Sequence, residues 1–385
     1  MIMRMNKICA ILSLTEPSTR DMQPLTTMRP VAALPMASRY RAIDFHLSNF
    51  SHAEMDSVAI FIGGSGRSIY DHIRSGAVWN LESDLAGGIF TYSQTYMKQF
   101  MGERNNEEND FYNDQKEFLI KSKSEYVVVS AGKIITSLDF QDVLKFHLKN
   151  SGDITLTYKM VPKQEVQGHQ YERVVRLDQD KDVLELVPSQ DYDYQDDTVA
   201  LNLNTYLLSV DKMLEIIGRA EKESIHMDID RLVTYYSQFY QVDAYEYAGT
   251  MVNLDSIQAY YEANMSLLNK DYYDKVFHGE RRVITKVKNE APTYYSCDAN
   301  VKNTILATGG FISGEIENSL IFRKVSVDKG AVIRDSIVMQ GSKVGKDAIL
   351  EYCILDKNVT IEPGVVLKGS KDNLIIIEKN KTVRA

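Results

Sequence analysis

From about residue 301 the chain repeats a short apolar position every five or six residues: Val327, Ile333 and Met339, then Val344 and Leu350, then Leu355, Ile361 and Leu367. Interleaved glycines at Gly330, Gly345 and Gly364 offer turn positions where a positive φ is needed. A six-residue period over this length marks a left-handed parallel β-helix, in which each coil buries its apolar positions only against its neighbours. At 385 residues the chain is too long for one ordinary core, taking about 150 residues per domain as a guide, so a second core must precede the coils.

The first 250 or so residues alternate short β-branched runs with helical patterns, the signature of a mainly parallel sheet covered by helices. Strands are expected at residues 8–14, 58–62, 126–130 and 154–158, and helices over 41–50 and from 68 to 73. Residues 182–203 read as hairpin-like strands broken by the acidic run DYDYQDD at 191–197, taken as a solvated loop rather than a cation site. A further helix is expected after Asp255. Asp255 and Gln258 have capping-box spacing, and Ile257, Tyr260, Tyr261, Met265 and Leu268 recur at helical intervals. The expected division is an α/β domain over 1–255, a linking helix and connector over 256–285, and the β-helix over 286–385.

Hydrophobic residues make up 44% and charged residues 25%, the balance of a soluble globular protein, and runs such as 58–62 and 126–129 are strand-sized. The apolar stretch over residues 8–14 lacks a small-residue cleavage site, so no secretory signal is expected. Cys9, Cys297 and Cys353 form neither CxxC nor an even disulfide set, and read as buried thiols in a cytoplasmic protein. A net charge of -9 argues against a nucleic-acid surface.

Five stretches carry a resemblance: SRYRAIDFHLSN at 38–49, HIRSGAVWNL at 72–81, SIQAYYEANM at 256–265, ENSLIF at 317–322 and DSIVMQ at 335–340. In order and over nearly the whole length, the chain resembles the glucose-1-phosphate adenylyltransferase (ADP-glucose pyrophosphorylase) family. That resemblance implies a Rossmann-like nucleotidyltransferase domain joined to a left-handed β-helix, and tetramers. Active members would make ADP-glucose and pyrophosphate from ATP and glucose 1-phosphate, with Mg²⁺ held by aspartates and regulation by sugar phosphates.

Such chemistry needs a backbone cradle for the triphosphate, cations to neutralise charge, and positioned substrates. The family's cradle is a Gly-Gly-x-Gly-x-Arg loop. Here the stretch reads SLTEPSTR at 13–20, the first glycine of the chain is Gly63, Pro17 removes a donor, and Glu16 puts a carboxylate where a polyphosphate would lie. Of that motif only Arg20 survives, as a weak nucleotide-binding candidate. The register implied by the resemblance sets Lys133 at the family's first metal-holding aspartate and Asn253 at the second. With ~4 kcal/mol between unit charges about 4 Å apart at moderate dielectric, a lysine facing a divalent ion costs roughly 8 kcal/mol. Val31 and Val187 stand at two substrate-region lysines, and the family's Gly-Thr-Ala segment has no counterpart between residues 111 and 119. Asp44, His72 and Trp79 read as packing residues.

The expectation is therefore one of the family's degenerate subunits: non-catalytic, regulatory, and inactive alone. Its expected partner is a catalytic ADP-glucose pyrophosphorylase subunit, in a heterotetramer, although a homo-oligomer of the chain by itself is compatible. No cofactor is expected in this chain, Mg²⁺ belonging to the active partner, and neither nucleic acid nor membrane is an expected partner. The resemblance implies a phosphorylated sugar effector at Arg29 and Arg41, with Arg39 as a helper, while Met28 and Pro35 replace other cationic effector positions. Arg41 reads equally well as a residue that opens a helix and pairs with a nearby carboxylate. Three other readings stand beside this one. An active sugar-phosphate nucleotidyltransferase would need a cradle without glycine. A metabolite-sensing scaffold is open. A β-helix acyltransferase would need a histidine in the coils as general base, and all seven, His46, His52, His72, His147, His169, His226 and His278, precede them.

Overall fold

The computed structural model describes residues 7–16, 20–82, 87–94 and 111–384. The chain divides into two compact units. Unit one holds Met1–Thr19, Pro30–Ala32 and Phe45–Met251, and unit two holds Arg20–Arg29, Ala33–Asp44 and Val252–Ala385.

Unit one is built on a sheet whose described strands are β1 (Ile8–Leu14), β2 (Ser57–Ile62), β3 (Gly88–Ser93), β4 (Tyr126–Ala131), β5 (Ile154–Pro162), β6 (Arg173–Leu177), β7 (Val183–Pro188), β8 (Thr198–Ser209) and β9 (Val242–Glu246). Their order is β7-β6-β8-β4-β1-β2-β3, with β5 on β8 and β9 on β5. All seven residues of β1 are buried, because a central parallel strand is covered on both faces and so reads as an unbroken apolar run. The sheet is mixed rather than mainly parallel. β3, β2, β1 and β4 run parallel, whereas β8 lies antiparallel to β4 and β5, and β6 and β7 form an antiparallel hairpin. The core gathers Cys9, Ile11, Val127 and Val129 of the strands with Phe118, Met213, Ile217 and Leu232 of the covering helices. Asp139 caps the helix Phe140–Lys149, its side chain accepting from the amides of Gln141 and Asp142.

Unit two is the parallel β-helix with the helices Ile257–Ser266 and Lys270–Phe277. Ser326 stacks on Lys343 and Lys343 on Thr360, so a coil advances 17 residues here. The stacking makes apolar ladders: Ile312, Val327, Val344 and Ile361 in one, Ile316, Ile333 and Leu350 in another, all buried. The fold is a left-handed β-helix of the hexapeptide type. Gly330 and Gly364 adopt left-handed backbone as expected, but Gly345 does not. Asp335, Asp347 and Asn358 take several of the other left-handed positions, which short polar side chains tolerate. Gly345 answers a close approach instead, since a Cβ there would sit 2.7 Å from the backbone nitrogen of Pro363.

Two further expectations are corrected. Ser256, not Asp255, caps the helix Ile257–Ser266: its backbone is extended, and its hydroxyl accepts from the Ala259 amide at 3.1 Å. Cys297 is exposed, whereas Cys9 and Cys353 are buried. The acidic run at 191–197 is exposed at Asp191, Asp193 and 195–197, while Tyr192 and Tyr194 pack on Val161, Val166 and Val174. Among the described residues no helix is long and apolar enough to cross a membrane.

Candidate functional site

In unit one, β1 and β4 are adjacent and parallel, Ser13 lying opposite Ala131. The segments leaving their carboxyl ends therefore emerge side by side, the usual place for a ligand site in an open α/β sheet. From β1 comes Glu16, and from β4 come Gly132 and Lys133. The Gly132 amide donates to Glu16 Oε1 at 2.5 Å. A Cβ on residue 132 would lie 2.4 Å from Leu14 Cδ2, so a side chain there would force Leu14 to shift. His46 holds the other side of this turn, with Nε2 3.2 Å from the Gly132 carbonyl, and burial lowers its imidazole to about 4, leaving it neutral.

Lys133 is buried and donates its ammonium to Glu172, also buried, at the start of the β6–β7 hairpin. Burial pushes the Glu16 carboxyl up to about 7, and the negative Asp230 adds to the rise against the opposing Gly132 amide and Lys133. Asp230, on the helix Ile229–Tyr236, is likewise raised by burial, with the Ser13 hydroxyl opposing. Among the described residues Glu16 Oε2 and Asp230 Oδ1 have no hydrogen-bond partner. These groups floor a cavity of about 1060 Å³ walled by the β6–β7 hairpin and by the chain from His226 to Val242.

Unit two carries a second concentration of charge. Arg29 is buried and pairs with Asp356 at 2.7 Å, while its Nε donates to the Leu25 carbonyl. Burial lowers the Lys357 amine to about 7, and the positive charges of Arg41 and Arg29 lower it further, Asp356 opposing. Asp44 accepts the Arg41 amide at 3.0 Å, the backward half of a capping box, and the Thr285 hydroxyl at 2.5 Å.

Residues 18–269 match the model of the nucleotidyl transferase family, and residues 292–373 match the GlmU-like C-terminal hexapeptide model. The chain is 32% identical over 374 residues to the glycogen biosynthesis protein GlgD of Geobacillus stearothermophilus, covering 97% of this chain and 96% of that protein. It is 30% identical over 360 residues to the protein of the same name from Bacillus subtilis (strain 168), covering 93% and 92%. The chain belongs to the glucose-1-phosphate adenylyltransferase family, on its GlgD-type branch. To a glucose-1-phosphate adenylyltransferase of Bacillus anthracis it is 23% identical over 382 residues, covering 97% of this chain and 98% of that protein.

In this GlgD-type chain the sequence-derived residues fall in different places. Lys133 and Glu16 line the unit-one cavity; Val187 is buried in β7 between two lining residues, Leu186 and Pro188; Val31 is buried in a short 3-10 turn. Asn253, Arg20, Arg29, Arg39 and Arg41 belong to unit two, with Arg20 and Arg39 exposed. Pro17 lies outside the described residues. Asp44, His72 and Trp79 are buried, the last two in ring contact. Glu172, Asp230, Asp356 and Lys357 carry no signal in the sequence, since each matters only through a partner that the fold brings to it.

Proposed function

We propose that the chain is a non-catalytic regulatory subunit of ADP-glucose pyrophosphorylase in glycogen biosynthesis. It acts in the cytoplasm, assembled with an active glucose-1-phosphate adenylyltransferase subunit. The observation that carries this reading is the floor of the unit-one cavity. The amide and the ammonium best placed to meet a phosphate there are engaged by Glu16 and Glu172. A lysine ammonium at position 133 and a carboxamide at position 253 are poor donors for Mg²⁺, which takes carboxylate oxygens and water, so Mg²⁺ belongs to the active partner. A regulatory role asks instead for an anion site, and the unit-two cluster supports one: Lys357 beside Arg41 and Arg29 leaves more positive charge than Asp356 cancels. Arg29, Arg39 and Arg41, with Lys357 added, are the proposed contacts for a phosphorylated sugar. Preferential binding to one arrangement of the mixed oligomer transmits roughly 1–3 kcal/mol to the active partner.

The test is ADP-glucose formation by the chain alone, by an active subunit alone, and by both co-expressed, with and without sugar phosphates. The chain alone should be silent and the mixture should respond to effector differently from the active subunit, a difference diminished by Arg41→Ala in this chain only. Turnover by the chain alone near the rate of the active subunit, or a mixture indistinguishable from that subunit, overturns the reading.

A further inference from the structure

We infer that the unit-one cavity is a binding site for an uncharged, polyhydroxylated ligand, a saccharide, rather than for a nucleotide or a sugar phosphate. The floor poses a specific demand. Glu16 is 7% exposed, yet its Oε2 has no hydrogen-bond partner among the described residues, and the same holds for the Oδ1 atom of the partly exposed Asp230. Buried carboxyl oxygens of this kind are costly unless a hydrogen-bonding group reaches them. The ligand that suits the cavity is therefore one whose groups can both donate to and accept from these two carboxyl groups, one of which keeps its proton up to about pH 7.

Charge then selects among donors. A phosphorylated ligand meets Glu16, Glu172, Asp228 and Asp230 among the residues that line the cavity. The Gly132 amide and the Lys133 ammonium, which would otherwise compensate it, are held by Glu16 and Glu172. A cationic donor fares little better, because Lys133, Arg173 and Arg231 also line the space. Hydroxyl groups satisfy carboxyl oxygens without adding charge of either sign. The walls fit the same chemistry: Tyr171 and Tyr235 line the cavity and keep 36% and 39% of their surface exposed, offering ring faces for the apolar side of a pyranose. Asn204, Gln170 and Gln238 add neutral groups that both donate and accept. The cavity, at about 1060 Å³, is at the upper end of the size of small-molecule sites and has room for more than one sugar ring.

The choice of an α-1,4-linked glucose oligomer as probe rests on the proposed place of this chain in glycogen biosynthesis; the chemistry of the site does not. Calorimetric titration of the full chain with maltotetraose should give saturable binding, with glucose 1-phosphate and Mg·ATP weaker or silent. Asp230→Asn, which replaces one acceptor oxygen by a donor, and Tyr171→Ala, a change at a half-exposed ring, should each weaken maltotetraose by about tenfold or more, with thermal unfolding within a degree or two of the parent. No saturation by maltotetraose up to tens of millimolar, tighter binding of Mg·ATP or glucose 1-phosphate, or affinity untouched by both variants overturns the inference. The regulatory reading fails separately, in the mixed-subunit assay, which does not use the glucan.

Discussion

The two units each bury an ionisable group held near neutrality, and the two are opposite in sign. Glu16 in unit one is raised to about 7 and Lys357 in unit two is lowered to about 7, in both cases mainly because burial disfavours the charged form. The neighbours differ. Around Glu16 the negative Asp230 raises the carboxyl further, whereas around Lys357 the positive Arg41 and Arg29 lower the amine further. One region therefore asks for hydroxyls and the other for an anion. The lesson is that the two regions are electrostatically unsatisfied in opposite directions, one by carboxyl groups and the other by cations.

The largest effects should come from stranding one partner of each buried ion pair. Glu172→Leu leaves the Lys133 ammonium in a buried setting and should cost ~3–5 kcal/mol in urea unfolding, while Lys133→Met with Glu172→Leu should recover most of it. Asp356→Leu should cost at least as much, because it strands Arg29 beside two further cations, Arg41 and Lys357. If Asp356→Leu proves clearly the cheaper of the two, the contrast drawn between the units is wrong.

What the sequence disclosed follows from how far apart the interacting residues lie. The coils of unit two were legible because each repeat buries its apolar positions against the next, so Val327, Val344 and Ile361 announce a ladder by spacing alone. Strand positions in unit one were legible for the same local reason, and Leu14, Ile62 and Tyr126 fall at strand ends as expected. The mixed direction of the sheet was not legible, because β8 reaches β4 by a pairing that no short window encodes. Nor was the floor of the cavity. Gly132 and Glu16 stand 116 residues apart and Lys133 and Glu172 39 apart, and only the sheet order joins them. The residue-level errors at Gly345 and Asp255 are finer: a glycine can serve close approach instead of a positive φ, and a serine in extended backbone one residue nearer the helix takes the cap.

A smaller effect should follow from Glu16→Gln. The folded chain holds its Glu16 proton up to about pH 7, whereas the unfolded chain releases it near the ordinary value of 4.5. Stability tied to that proton is complete below pH 4.5 and is lost as pH rises through 7. Glutamine keeps an oxygen for the Gly132 amide and never ionises, so it should stabilise the protein by ~1–3 kcal/mol at pH 8 and by little at pH 5. Thermal unfolding at the two pH values checks this, and an equal effect at both would place Glu16 in a more solvated setting than its burial implies.

The smallest effect belongs to Lys357→Met, and its pH dependence runs the other way. The amine sits at about 7 when folded and at 10.5 in its ordinary state, so between those values the unfolded chain binds the extra proton and stability rises with pH. Below pH 7 both states are charged, and the folded chain bears the whole cost of an ammonium among Arg41, Arg29 and Lys379. Methionine fills a similar volume and removes that cost, so it should stabilise the protein at pH 6 and do so less at pH 9.5. Lys357 is only partly covered, and water screens its neighbours, which holds the expected gain to ~1 kcal/mol. A buried glutamate beside a second carboxyl and a partly covered lysine among cations thus make opposite demands of the same titration. If Lys357→Met gained more at pH 9.5 than at pH 6, the excess positive charge assigned to unit two would be absent, and with it the physical basis for an anion site there.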